Sequence, residues 1–175
     1  MSGPGGGEWY KPFANPRKFD GVLPILWRDG GDTIYEVPQR SNSLAHVIRE
    51  SQVVSRAPIH GLDVDPLRPF VAALNDPQMP LTAMEWTTRA QARITSELRP
   101  GDLISVQVSY HPGWHALVNG SERRIDSDAI GLMVIHPECT GACVVDLVYD
   151  GGLEMKIARV VQLLSAAVCV LIWLA

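Results

Sequence analysis

The chain has 175 residues, 46% of them hydrophobic and 19% charged, with a formal net charge of −4. Acids and bases are mixed along its length, so no basic surface is left to hold nucleic acid by neutralising phosphates, and nucleic acid is excluded as a partner. Fifteen glycines and thirteen prolines, scattered without a repeat, break the chain into short segments and favour an all-β domain over a helical bundle.

The opening, MSGPGGGEWYKPF, has no charged start followed by an apolar stretch and is therefore not a signal peptide. Its glycines read as a flexible segment, and residues 1–32 are expected to be flexible or only partly structured. A β domain is expected over 33–152. Residues 33–39 (TIYEVPQ) read as a short strand stopped by Pro38. Residues 44–54 form a second extended run whose imperfect alternation also admits a short helix. Asp65 and Pro66 then open one helix, as N-cap and first helical residue, with Leu67, Phe70, Val71 and Leu74 along one stripe. Asn75 and Pro77 end it.

Beyond Pro80 the pattern is β throughout. Strands are predicted over 83–88 and 90–98, followed by a turn at Arg99-Pro100-Gly101-Asp102. The run LISVQVSY (103–110) alternates strictly, with Ile104, Val106, Val108 and Tyr110 on one face, as in a half-buried antiparallel strand. Segments 114–118 and 123–125 flank Asn119-Gly120, a strong hairpin signal because both residues tolerate positive φ. Strands over 132–136 and 143–149 complete the set. Many short strands with Gly/Pro turns between them point to a mainly β fold, an antiparallel β-sandwich or jelly-roll-like domain with one short helix.

Residues 157–175 (IARVVQLLSAAVCVLIWLA) carry no charge past Arg159, and their only other polar side chains are Gln162 and Ser165. About 19 helical residues rise roughly 28 Å, close to the hydrocarbon thickness of a bilayer. A C-terminal transmembrane helix is expected over 155–175, with Trp173 at headgroup level and Lys156 and Arg159 snorkelling at the near interface. The bilayer is the first partner this implies.

Of three cysteines, Cys169 lies in the apolar tail as a small hydrophobe. Cys139 and Cys143 bracket a Thr-Gly-Ala turn and admit three readings: a disulfide, free thiols, or a metal site with His136. Three residues on one loop fall short of a four-ligand structural zinc site, so no metal is expected, and a disulfide is the reading adopted. It would place the domain in an oxidising compartment.

Tyr110-His111-Pro112-Gly113-Trp114, followed by Ala116 and Val118-Asn119-Gly120, resembles the Y-x-P-G-W…V-[ND]-G strand-turn-hairpin of the YfhO-like bacterial membrane proteins. These are large polytopic relatives of GT-C-type glycosyltransferases, which use lipid-linked sugars. The resemblance extends more loosely over 33–175, and its sharp part is the window 110–120. The chain departs from the family pattern at Cys139 and Cys143, and at Asp150-Gly151-Gly152 where a proline would follow the last strand. The resemblance implies an extracytoplasmic β-sandwich followed by a final transmembrane helix, preceded in the parent by upstream transmembrane helices. It also implies that catalytic acids belong to an early loop of such a parent, so no catalytic residue and no cofactor are assigned to this chain.

A functional role for the motif would make Trp114 a stacking platform for a glycan or a lipid-linked sugar acceptor, with His111, His115 and Asn119 hydrogen-bonding the ring. The alternative, favoured here, makes Trp114 a core plug dropped between the sheets by Pro112-Gly113. Asp126 and Asp128 read as a polar turn rather than as paired catalytic carboxylates. Ser41, Ser43, His46 and Glu50 lack the setting of an activated nucleophile. The expected function is a non-catalytic extracytoplasmic domain that shapes acceptor or glycan access in a membrane glycosyltransferase-like protein. The alternative is a tail-anchored cytoplasmic interaction module, supported by the positions of Lys156 and Arg159 on the domain side of the helix.

Overall fold

A computed structural model describes residues 17–174, except for the side chains of Ala167, Val168, Leu171 and Leu174. The glycine-rich opening therefore lies outside the described residues. The chain divides into two compact units, Met1–Gln39 and Arg40–Ala175.

In the first unit, β1 (Ile25–Asp29) pairs antiparallel with β2 (Asp32–Tyr35) across Gly30, which has φ +53° and so suits a tight turn. The Asp20 carboxylate joins the pair, accepting from the Tyr35 hydroxyl at 2.6 Å and from Arg28 at 2.6 Å. The Tyr35 hydrogen bond is the main reason its pKa lies below the usual carboxylate range. The strand expected over 33–39 is thus shorter, and its partner comes from the segment expected to be flexible. Trp27-Arg28-Asp29 has the residues to pair, but the glycines on either side obscured it.

The second unit is mainly β, with two antiparallel sheets. One holds β3 (Ala45–Arg49), β6 (Asp102–Ser109), β10 (Leu132–Ile135) and β9 (Ile125–Ser127), in the order β3-β6-β10-β9. The other holds β4 (Thr82–Thr88), β5 (Gln91–Leu98), β7 (Trp114–Val118), β8 (Ser121–Arg123) and β11 (Gly141–Tyr149), in the order β4-β5-β11-β7-β8. Their facing sides share one buried core. Ala45, Val47, Ile104, Val106, Met133 and Ile135 come from the first sheet, and Ile94, Ala116, Val118, Val145 and Leu147 from the second. The strict period-two alternation of these strands is what delivers one apolar face to the core. Across the second sheet, Arg93 sits directly opposite Asp146 on the solvent face and bonds it at 2.7 Å.

The helix α1 (Arg68–Asn75) covers the far side of the four-stranded sheet, burying Phe70 and Ala73 against Ile48, Val54, Leu103 and Val134. It starts later than the capping pattern predicts. Asp65-Pro66-Leu67 makes a 3-10 turn first, and the Asp65 carboxylate bonds Arg68 at 2.8 Å instead of capping the helix. Val71, expected on the buried stripe, is exposed, and Ala73 takes the contact.

That second cover changes β6. The strand was expected to be half-buried, yet Asp102 through Val106 are all buried because α1 closes the face opposite the main core. Ser105 is fully buried there, and its hydroxyl has no hydrogen-bond partner among the described residues. An unpaired buried hydroxyl bears its desolvation cost without return, so Ser105→Ala should stabilise the unit by about 1 kcal/mol. The urea midpoint of the full chain, followed by near-ultraviolet dichroism, should move upward without a change in slope.

The helix α2 (Gly152–Leu174) leaves the end of β11 after Asp150 and Gly151. Its described side chains from Leu153 onward are all exposed, including Val160, Val161, Leu163, Leu164, Val170, Ile172 and Trp173. Among the described residues, no helix is long and apolar enough to cross a membrane. Part of the run that carried that expectation, Ala167, Val168, Leu171, Leu174 and Ala175, falls outside the described side chains.

Candidate functional site

The window 110–120 forms the structure its residues suggest. β7 and β8 make a hairpin with Val118 opposite Ser121, and Asn119 (φ +53°) and Gly120 (φ +76°) supply the two left-handed turn positions. At the other end of β7, the Trp114 amide donates to the His111 carbonyl at 3.0 Å. The Gly113 amide donates to His111 Nδ1, also at 3.0 Å. These bonds close a compact turn just ahead of the indole.

This turn is also the seat of α2. The Asp150 amide donates to the Gly113 carbonyl at 2.9 Å. A Cβ on Gly113 would stand 2.6 Å from the backbone nitrogen of Gly152, so only glycine lets the two chains approach this closely. The Asp150 carboxylate accepts from the Gly152 amide at 2.7 Å and from Lys156 Nζ at 2.9 Å. The Lys156 ammonium, with the Gly152 amide, holds the Asp150 pKa down at about 2. Asp150 thus ties together the last strand, the helix start and the first cation of the helix.

Four rings form a row at this end of the five-stranded sheet. Trp86 and Trp114 have centroids 6.1 Å apart, Trp114 and Tyr149 5.0 Å, and Tyr149 and His111 5.4 Å. Trp86 lies opposite Ala92 and Trp114 opposite Tyr149, all on the core-facing side of the sheet. The small Ala92 and Ala116 leave the space over which the indoles converge. Trp114 packs onto the main core, whereas Trp86, on the edge strand, is 47% exposed. A bulge at Thr87 bends that edge next to it.

The residues expected to form a glycan site come together only in part, with Trp114 and His115 bordering one depression and Asn119 apart from them. His111 and Trp114 are neighbours, but His115 projects from the opposite face of β7. There its Nδ1 lies 2.6 Å from Glu122 and its Nε2 3.5 Å from Asp150. Asn119 sits at the far end of the strand, about 16 Å from Trp114 at the rise of an extended chain, and serves the turn. Trp114 is partly buried and packs against the main core, the position the core-plug reading expects. Beside it, Tyr110, Pro112, Trp114, His115, Glu122 and Ile125 border an open depression of about 450 Å³, together with Arg123 and Arg124.

Cys139 and Cys143 are joined by a disulfide, which selects one of the three readings of this loop. His136 is engaged elsewhere, with Nε2 2.8 Å from Asp126. The Asp126 carboxyl lies below its usual range chiefly through its hydrogen bond from Arg124. Asp128 accepts from the Ile130 and Leu132 amides at 3.0 and 2.8 Å and shapes the turn into β10. His46 is half-buried, and burial pushes its imidazole toward the neutral form.

Sequence reasoning missed Asp150 and Tyr149, and it read Trp86 as a core residue, whereas Trp86 is 47% exposed. Asp150-Gly151-Gly152 stood out only as a departure from a family pattern, yet an Asp two residues before a glycine amide is a recognisable local turn. Comparison with protein-family models, curated proteins and solved structures finds no match.

Proposed function

We propose that this chain is the extracytoplasmic C-terminal part of a polytopic bacterial membrane protein similar to the YfhO-like relatives of GT-C-type glycosyltransferases. In this reading the two sheets of the second unit are a jelly-roll-like sandwich, and α2 is the transmembrane helix that holds the sandwich at the membrane. The domain contributes position rather than reacting groups, flanking the route by which a lipid-linked sugar or acceptor reaches the upstream helices.

The observation that carries the reading is the seating of α2 on the 110–120 motif. The Gly113 carbonyl holds the Asp150 amide, Asp150 bonds the Gly152 amide and Lys156 of the first turn, and the His111 ring lies against Gly152, so the motif that resembles the family adjoins the helix start. Two further features support it. The described apolar side chains of α2, among them Val160, Leu163, Leu164, Ile172 and Trp173, are exposed, which is costly in water and which an apolar surrounding would relieve. The Cys139–Cys143 disulfide belongs to an oxidising compartment.

One observation favours the alternative, a tail-anchored cytoplasmic module: Lys156 and Arg159 lie on the domain side of the apolar run. Cysteine accessibility in whole bacterial cells decides between them. For an exported domain, Cys139 and Cys143 resist alkylation until a reductant is added, and an impermeant reagent labels Ser121→Cys on the exposed hairpin. Rapid alkylation of both native thiols without reductant, with Ser121→Cys reached only after lysis, would overturn the extracytoplasmic assignment.

A further inference from the structure

We propose that the aromatic row Trp86–Trp114–Tyr149–His111 is a membrane-contact surface, seating this end of the β unit in the headgroup layer of the bilayer that α2 enters. The inference rests on the membrane helix proposed above and adds a surface and an orientation to it.

Position is the first argument. Tyr149 ends β11, and Asp150 and Gly151 alone separate it from α2. Neither is slack, because Asp150 is bonded to Gly113, Gly152 and Lys156. The row therefore keeps a fixed height relative to the helix. From Gly152 to Ile157, where the apolar run begins, the helix rises about 7.5 Å. The headgroup layer on one side of a bilayer is roughly 5–8 Å thick, so the row falls at its outer margin.

Chemistry is the second. Indole and phenol rings with an apolar body and a polar tip are the side chains that partition into this layer. Trp86 stays 47% exposed although a sheet face lies beside it, and Tyr110, next to the same turn, is 37% exposed. Charge is the third argument. Exposed Arg89, in the turn between β4 and β5, adjoins Ala90, whose carbonyl accepts the Tyr149 amide at 2.8 Å. Arg89 flanks the row, where a lipid phosphate would meet it.

The test uses the full chain in vesicles of phosphatidylcholine and phosphatidylglycerol. Trp9→Phe, Trp27→Phe, Trp114→Phe and Trp173→Phe leave Trp86 as the sole indole. Two companion chains carry their only indole at Leu81→Trp, on the opposite end of the same sheet, or at Leu164→Trp, within α2. A nitroxide on the lipid headgroup should quench Trp86 about twofold more than Leu81→Trp if the row lies among headgroups. Bromines in the acyl chains should quench Leu164→Trp. Quenching of Leu164→Trp with Trp86 no more affected than Leu81→Trp overturns this inference and leaves the membrane helix standing. Failure to quench Leu164→Trp overturns both. Trp86 emission that is blue-shifted but unquenched, as when a second copy of the chain covers it, also overturns the inference. Should the Trp86-only chain fail to fold, an environment-sensitive label on Thr88→Cys, with Cys169→Ser, reads the same edge against the same outcomes.

Discussion

Gly113→Ala will destabilise the second unit by about 3 kcal/mol, the upper end of what overpacking costs. The new Cβ would lie 2.6 Å from the Gly152 nitrogen, 3.0 Å from the Tyr149 ring and 3.1 Å from the Gly152 Cα. Two of those three atoms are backbone, and that backbone is itself fastened by Asp150, so no side chain can swing aside to make room. Relief requires parting the motif from the helix start, which also breaks the Asp150–Gly113 hydrogen bond. Gly120→Ala is the matched control. Gly120 has φ +76° with nothing near its notional Cβ, so that variant pays only the left-handed conformation, about 1 kcal/mol. Urea unfolding of the full chain with both variants checks the ranking. Equal losses would mean that the close approach at Gly113 contributes nothing, and the account of α2 seating would fail with it.

Much of the second unit was legible because period two is a strong signal when one face is buried. β7 falls on its expected residues, and β4, β5, β6, β10 and β11 within about two residues of theirs. The hairpin turn was legible for a local reason, since Asn-Gly accepts positive φ at both positions. What failed to show was long-range. Nothing in LISVQVSY reveals that α1 covers the polar face and strands Ser105 without a partner. Segment 123–125 looked like one strand, yet Arg123 ends β8 in one sheet and Ile125 begins β9 in the other. A three-residue strand is too short for alternation to register that the chain changes sheets. The site was legible in its spine and not in its partners. Gly113 and Trp114 stand out in the motif, whereas Tyr149 and Trp86 reach the same row from distant strands, and only the sheet order β4-β5-β11-β7 brings them together.

Trp114→Ala will cost about 3 kcal/mol, the low end for removing a buried aromatic side chain, because the indole is only partly buried. Its loss opens space over Ala116 and leaves Trp86 and Tyr149 without the ring that bridges them at 6.1 and 5.0 Å. Trp86→Ala should cost no more than about 1 kcal/mol, since half of that side chain already meets solvent. The double variant is the informative one. If the rings stabilise each other, the two losses will fall short of adding by about 0.5–1 kcal/mol, the lower part of the usual coupling of an aromatic pair. Denaturant unfolding of the four chains in detergent measures this. Full additivity would show that the two indoles merely lie near one another. A Trp114→Ala chain as stable as its parent would remove Trp114 from the core, and would restore the exposed platform for a sugar ring that the geometry of His115 and Asn119 argues against.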